Sequence, residues 1–249
     1  MVRGLWRLVW LELKIFLREP LGAFGGIGLP VLSYLLIGRI AGARVSPASR
    51  DAGAALAGMA PVIGALLIGL TTAVSLVTIV AVYREAGILK RLRATPLRPW
   101  TILAAHVIVK LIFSAITLVA MVAAGRRYFP ASLHLPLAAL TAALLIATLS
   151  ILAIGFVIAS VVPTARFAQP TATAVFYPMV VLSGLFFSVD VLPQALRTAA
   201  RLLPLTYAVS LLRGIVRHDA WSAHTMDVTV LALFFVGFMA LSARVFRWE

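Results

Sequence analysis

The chain is built from long apolar segments separated by short polar ones. No charged residue occurs in residues 21–38 or 52–83, and four further segments are nearly as apolar. A helix needs about 20 consecutive apolar residues to cross the hydrocarbon core of a bilayer. The pattern therefore predicts an all-α integral membrane protein with six transmembrane helices, at roughly 21–40, 57–82, 101–124, 137–162, 170–189 and 226–244.

Residues 1–20 follow a different, amphipathic pattern. Large apolar side chains recur at helical spacing along one face, at Trp6, Trp10, Leu13 and Leu17. Basic side chains follow another face, at Arg7, Lys14 and Arg18. Such a helix suits the headgroup layer at the membrane surface. Because this helix precedes the first apolar segment, we do not expect that segment to be a cleavable signal peptide.

The composition agrees with a membrane location. Hydrophobic residues make up 62% of the 249 positions and charged residues 12%, against about half and about a quarter in soluble domains. The formal net charge is +14, from 22 basic and 8 acidic residues. In a membrane protein this excess suits anionic lipid headgroups better than nucleic acid. The absence of cysteine excludes disulfides and thiolate metal ligands.

The distribution of the basic residues predicts the orientation. With both termini in the cytoplasm, twelve Lys and Arg residues fall on the cytoplasmic side and nine on the outer side. The two densest basic segments, residues 1–20 and 84–98, are then both cytoplasmic. Basic residues close to membrane spans favour the cytoplasmic side. We therefore expect cytoplasmic termini.

The sequence lacks the motifs of several function classes. It has no GxxxxGK[ST] loop for a nucleotide phosphate and no zinc-ligand spacing among its four histidines. Serines inside the spans are expected to bond to helix carbonyls rather than act as nucleophiles. All eight acids fall outside or at the edge of the predicted spans, whereas proton-driven pumps place carboxylates at membrane depth. Lys110 lies well inside a span, where it either lines a polar cavity or extends to the headgroups.

Two further segments suggest a family. One is YREAGILKRLRATPLRPWTIL, residues 83–103, and the other is PMVVLSGLFFSVDVLPQALRTAARLLPLTYAVSLLRGIV, residues 178–216. Together they resemble the permease subunits of type-2 ATP-binding-cassette (ABC-2) exporters, and among these the daunorubicin-resistance-like permeases. The resemblance treats 1–249 as a single permease domain, divided into an interfacial helix (1–20), spans 1 and 2 (21–82), a coupling loop (83–100), spans 3 to 5 (101–189), extracytoplasmic helices (190–225) and span 6 with the tail (226–249).

The resemblance implies that the first segment contains a cytoplasmic coupling helix, which docks into a groove on a separate ATPase subunit. The implied coupling residues are Glu85, Gly87, Ile88, Leu89, Arg91, Leu92, Arg93 and Pro96. Pro96 and Pro99 would end such a helix, and a plain positive-inside loop is the alternative interpretation. The chain departs from the family at residues 88–90, where Thr-Leu-Glu is usual, and at Ala105 and His106, where Gly-Lys is usual. A family role for that lysine does not transfer to His106.

The second segment would contain two short extracytoplasmic helices that re-enter the membrane and cap the translocation path. The implied gate residues are Gly184, Leu185, Phe186, Phe187, Pro193, Pro204 and Tyr207. Gly184 would let the chain bend before the two phenylalanines, and Pro204 would end the first short helix. Two interfacial helices without a gating role are the alternative.

The resemblance implies a permease that exports an amphiphilic substrate, such as a drug, a lipid or a lipid-linked molecule, across a bacterial plasma membrane. It also implies a partner ATPase that binds ATP and magnesium, no cofactor in this chain, and a dimer of identical or similar permeases. A polysaccharide or teichoic-acid exporter of the same family is the alternative. A secondary transporter would need buried carboxylates or a repeat. An integral-membrane enzyme would depend on Asp190, Asp219 and His218.

Overall fold

The computed structural model describes residues 2–18, 24–43, 50–88, 99–128 and 135–245. Most of these residues are helical, and none of them lies in a β-strand. Within them lie nine α-helices: α1 (Val2–Arg18), α2 (Leu29–Ala43), α3 (Arg50–Glu85), α4 (Pro99–Tyr128), α5 (Leu137–Val161), α6 (Ala165–Leu182), α7 (Gln194–Arg201), α8 (Pro204–Val216) and α9 (Thr225–Val245). A π-helical turn, Phe24–Gly28, leads into α2, and the 3₁₀ helices Val189–Val191 and Trp221–His224 precede α7 and α9.

Four helical segments of the described chain are long and apolar enough to cross a membrane. They are Gly58–Glu85, Leu103–Tyr128, Leu137–Val161 and Trp221–Val245. A fifth candidate arises if α7 and α8, which bend by 79° at their junction, form one broken span. This confirms an all-helical, multi-pass membrane protein with four or five candidate spans, and the count of six stays a prediction.

The two remaining predicted spans correspond to shorter or less apolar helices. The first coincides with Phe24–Ile40, which counts among the shorter apolar helices of the described chain, below the roughly 20 residues that a span usually needs. The fifth coincides with α6, which begins and ends several residues earlier than the predicted 170–189. Helix α6 also contains Arg166, Gln169 and two internal prolines, which make it the least regular of the predicted spans.

Helix α5 lies at the centre of the bundle. It packs against α3 on one side and against α8 and α9 on others, and it buries side chains from Leu140 to Ser160. Small residues permit the close approach that helix association in membranes requires. A Cβ added to Gly155 of α5 would lie 3.4 Å from Val77 and 3.5 Å from the carbonyl of Ala73 in α3. By contrast α9 exposes apolar residues such as Leu233 and Val236, as expected of a surface in contact with lipid.

Candidate functional site

Helix α1 packs against the bundle through one apolar face. Val9 is buried together with Ala105, Val109 and Phe113 of α4, and Leu13 packs beside them. Trp6 and Trp10, predicted to share a face with Leu13, are instead 66% and 65% exposed. The predicted apolar stripe is therefore divided, because Val9 and Leu13 face α4 while the tryptophans face outward. The side chain of Leu17 lies outside the described residues.

A carboxylate joins α1 to two other helices. The hydroxyl of Tyr83, near the end of α3, donates to Glu12 Oε1 at 3.1 Å. His106 Nδ1, in α4, lies 3.5 Å from Glu12 Oε2. The rings of Tyr83 and His106 meet edge to face, with their centroids 5.2 Å apart. The sequence analysis missed this site because Glu12 lies outside every predicted span. The one available signal was its position three residues after the apolar Val9, which places both side chains near the same face of α1.

Lys110 lies one turn further along α4 and is held inside the bundle. It is 5% exposed, and its Nζ donates to Ser75 Oγ of α3 at 2.6 Å. The hydroxyls of Thr72 and Ser114 pair across the same two helices at 3.1 Å. Of the two positions considered for Lys110, the structure supports the polar interior over the headgroup layer. Lys110 thus links α3 to α4 just inside the contact made by Glu12.

The last two residues of α3 bind the turn between α5 and α6. Arg84 Nη1 donates to the carbonyl oxygens of Ala159 and Ser160, each at 3.2 Å. Glu85 Oε2 accepts the backbone N–H of Ala165, the first residue of α6, at 2.7 Å. Carbonyls at the end of a helix and amides at its start lack partners within that helix. The helix dipole also favours a cation at the end of α5 and an anion at the start of α6.

Helix α3 ends where the predicted coupling helix begins. Gly87 has φ +66°, and its N–H donates to the carbonyl of Arg84 at 3.0 Å. A glycine in this left-handed conformation is a common helix terminator. Ile88 follows it and is half-buried. The other predicted coupling residues lie outside the described residues, so their role stays a prediction: Leu89, Arg91, Leu92, Arg93 and Pro96.

The predicted gate residues begin at the other end of α6. That helix ends at Leu182, and Gly184 has φ +82°, a conformation that favours glycine. Leu185 is buried, whereas Phe186 and Phe187 are 55% and 64% exposed. Arg213 of α8 donates to the carbonyls of Gly184 and Leu185, at 2.9 and 3.3 Å. The bend that the sequence indicated at Gly184 is therefore fixed by a side chain of α8.

Two short helices follow this bend. Pro193 immediately precedes α7, and Pro204 is the first residue of α8. The Tyr207 hydroxyl donates to the carbonyl of Arg201 at 2.9 Å, and the Thr206 hydroxyl donates to the carbonyl of Ala200 at 2.6 Å. These bonds satisfy carbonyls at the end of α7 and hold the angle between the two helices. Their re-entry into the membrane and their gating role stay predictions.

A polar cavity of about 340 Å³ lies between α8 and the loops that follow α6 and α8. His224 lines it and bridges two acids: Nδ1 lies 2.8 Å from Asp227 Oδ2, and Nε2 lies 3.4 Å from Asp219 Oδ2. His218, a weak enzyme candidate with Asp219, lies two residues after α8 with φ +66°. The described residues include no cluster of His, Cys, Asp or Glu suited to a metal ion. The pair of acids on His224 orients the start of α9 against α8.

Comparison with known proteins identifies the family. Residues 3–216 match the sequence model of the ABC-2 type transporter. Over 82 residues the chain is also 37% identical to Nodulation protein J of Rhizobium leguminosarum bv. trifolii. That alignment covers 33% of this chain and 29% of the relative, so the chain matches less than a third of the relative's length. The family match spans most of the chain and includes both segments singled out in the sequence, and the chain therefore belongs to the ABC-2 type transporter family.

Proposed function

We propose that this chain is the permease subunit of an ABC exporter, which moves an amphiphilic substrate outward with ATP hydrolysed by a separate subunit. The observation that carries the proposal is the family match over residues 3–216. The sequence has no phosphate-binding loop of its own, so ATP and magnesium would bind to the partner. The basic segment between the candidate spans of α3 and α4 is where this partner would dock.

The proposal predicts that the purified chain alone hydrolyses no ATP. Hydrolysis should appear only when the chain is co-expressed with an ATPase subunit that contains a phosphate-binding loop, and the two should purify together. The measurement is phosphate release from each preparation in detergent, with a lysine substitution in that loop as the control for contaminating activity. ATP hydrolysis by the permease freed of its partner would contradict the proposal.

The proposed orientation places both termini, the basic segment and the turn between α5 and α6 in the cytoplasm of a bacterium. The contacts of Glu12, Arg84 and Glu85 support one shared side, since they join α1 and the end of α3 to that turn. The loop after α6 would then face outward. Charge supports the same arrangement, because the densest basic segments fall on the cytoplasmic side.

Cysteine labelling tests this orientation directly, because the chain contains no cysteine. In intact cells an impermeant thiol reagent should label single cysteines that replace Ser46 or Ser188. A cysteine that replaces Thr95 should react only after the cells are opened. The reverse pattern would place the basic segment outside and overturn the orientation.

The exporter would act as a dimer of identical or similar permeases. Helix α6 supports this, since it exposes Gln169 and Tyr177 together with Pro170 and Pro178. Polar atoms and an irregular helix suit a surface covered by protein or facing an aqueous path better than one facing lipid. The exposed side of α6 would therefore meet the second permease or the path itself.

A drug-like molecule, a lipid or a lipid-linked molecule is the proposed substrate class. The predominantly apolar spans favour it. Export of a polysaccharide or teichoic acid is the second candidate, and exposed aromatic residues beside the outer bend favour it, at Tyr177, Phe186 and Phe187. Such rings offer flat apolar faces to a sugar ring. Their substitution by alanine should reduce export of a glycan far more than that of a lipid.

A further inference from the structure

Three consecutive residues at the end of α3 each bind a different helix or turn. Tyr83 binds Glu12 of α1, Arg84 binds the last carbonyls of α5, and Glu85 binds the first amide of α6. Successive side chains on an α-helix point about 100° apart, so the three residues reach around much of its circumference.

We propose that Tyr83, Arg84 and Glu85 form a joint through which displacement of the basic segment moves α1, α5 and α6 together. This inference rests on the proposed function. It assigns Glu85 a partner within the chain, whereas the family resemblance placed Glu85 among residues that contact the ATPase. In this proposal the three side chains position α1, α5 and α6, and they contact neither the substrate nor the ATPase.

The start of α6 depends on Glu85 because its own N-cap residue contributes no side-chain bond. Thr164 occupies that position, and its hydroxyl does not cap the helix. Glu85 Oε2 fills the same role from a neighbouring helix at 2.7 Å. A cap supplied by another helix ties the two helices together, which a cap within α6 would not do. A movement of the last turn of α3 therefore has to move Ala165 or break this bond.

Helix α6 continues this connection to the opposite end of the bundle. Its 18 residues are enough to extend over about 27 Å as an α-helix. It ends beside Gly184, whose carbonyl is held by Arg213 at the outer polar cavity. Proximity alone does not establish coupling, so the test has to measure a movement at one end after a change at the other.

Gly87 terminates α3 two residues after the joint, and only Ile88 separates it from the undescribed part of the basic segment.

Two substitutions at Glu85 distinguish the joint from a contact with the ATPase. Glu85→Gln keeps an oxygen that can accept the Ala165 N–H but removes the charge. Glu85→Ala removes both. If Glu85 holds α6, glutamine should keep the bond and lose only the contribution of the helix dipole, whereas alanine should lose both. If Glu85 instead pairs with a basic residue of the ATPase, both variants should lose the partner. Arg166→Ala, at an exposed site in the first turn of α6, is the matched control.

The first measurement uses the permease alone in lipid nanodiscs. Hydrogen exchange of peptides that cover residues 162–168 should be about fivefold faster in Glu85→Ala, as expected for the loss of a helix cap. Arg166→Ala should exchange at the wild-type rate, and Glu85→Gln should exchange at a rate between those of the wild type and Glu85→Ala. Equal exchange in the alanine variant and the wild type would overturn the joint. This measurement needs no ATPase, so it tests the bond between Glu85 and Ala165 even if the proposed function is wrong.

The second measurement uses the complex with its ATPase and a single cysteine in place of Ser188. The rate at which a maleimide labels this cysteine is compared without nucleotide and with ATP and vanadate. We expect a nucleotide-dependent change in the wild type and in Glu85→Gln, and its loss in Glu85→Ala, with equal amounts of ATPase retained in all three. A nucleotide response in Glu85→Ala equal to that of the wild type would overturn the joint. A wild-type chain that retains no ATPase would contradict the proposed function instead.

Discussion

Replacing Leu89 and Leu92 together by serine is expected to weaken binding of the ATPase subunit at least tenfold. Both residues lie outside the described part of the chain, and the expectation rests on the sequence pattern and the family. Full burial of a leucine side chain contributes about 1.5–3 kcal/mol. The costs of association and incomplete burial reduce that amount. A remaining loss of about 1.4 kcal/mol already lowers the affinity tenfold.

The matched control is Arg91→Gln in the same segment. An exposed ion pair contributes only about 0–1 kcal/mol, so this variant should retain most of the ATPase. The measurement is the amount of ATPase that co-purifies with each variant in detergent, after equal membrane insertion of the permease has been verified. Equal retention by the double variant and the wild type would show that the basic segment serves only as an orientation signal.

Residues 83–93 are thus predicted to have two separate roles, each carried by different side chains. The leucines would determine whether the ATPase binds, and Glu85 would determine whether its movement reaches α6. Their variants should therefore fail differently: Leu89 and Leu92 variants lose the partner, while Glu85→Ala keeps it and loses the response at Ser188. If the segment had a single role, both sets of variants would lose the ATPase and the nucleotide response together.

The long apolar segments were predictable because each one alone meets the length and hydrophobicity that a bilayer requires. That reasoning located the helices that carry four candidate spans, whereas the two short helices after residue 190 were expected from the family resemblance. It was weakest for α6, where Arg166, Gln169 and two prolines interrupt the pattern. There the observed helix begins five residues before the predicted span and ends at Leu182.

The polar contacts between helices were not predictable from one sequence. Glu12 meets Tyr83 and His106 across more than 70 positions of the chain, and Glu85 meets Ala165 across 80. Neither spacing forms a local motif, because the contacts depend on how the helices pack. On α1 the apolar stripe of Trp6, Trp10 and Leu13 did not indicate which side chains contact the bundle. The smaller Val9 faces α4 instead, where it packs with Val109 and Phe113.

The second large effect is expected from Gly214→Ala in α8. Alanine in a helix is ordinarily favourable by about 1 kcal/mol relative to glycine. At this position, however, the added Cβ would overlap the His224 ring and would lie 2.8 Å from its Cδ2 atom. The ring cannot move away freely, since Asp227 holds Nδ1 at 2.8 Å and Asp219 lies 3.4 Å from Nε2. We therefore expect net destabilisation, in the range of about 1–3 kcal/mol typical of overpacked sites.

Thermal unfolding in detergent measures this effect, at roughly 2–4 °C of Tm per kcal/mol for a chain of this size. Gly237→Ala in α9 is the matched control, because a Cβ there meets no atom within 4 Å and should leave Tm unchanged or raised. A double-variant cycle assigns the cause. In a His224→Ala background the ring is absent, so adding Gly214→Ala should cost nothing further, and the two effects should be strongly non-additive. An equal loss of Tm in both backgrounds would show that Gly214 is required for a reason other than its contact with His224.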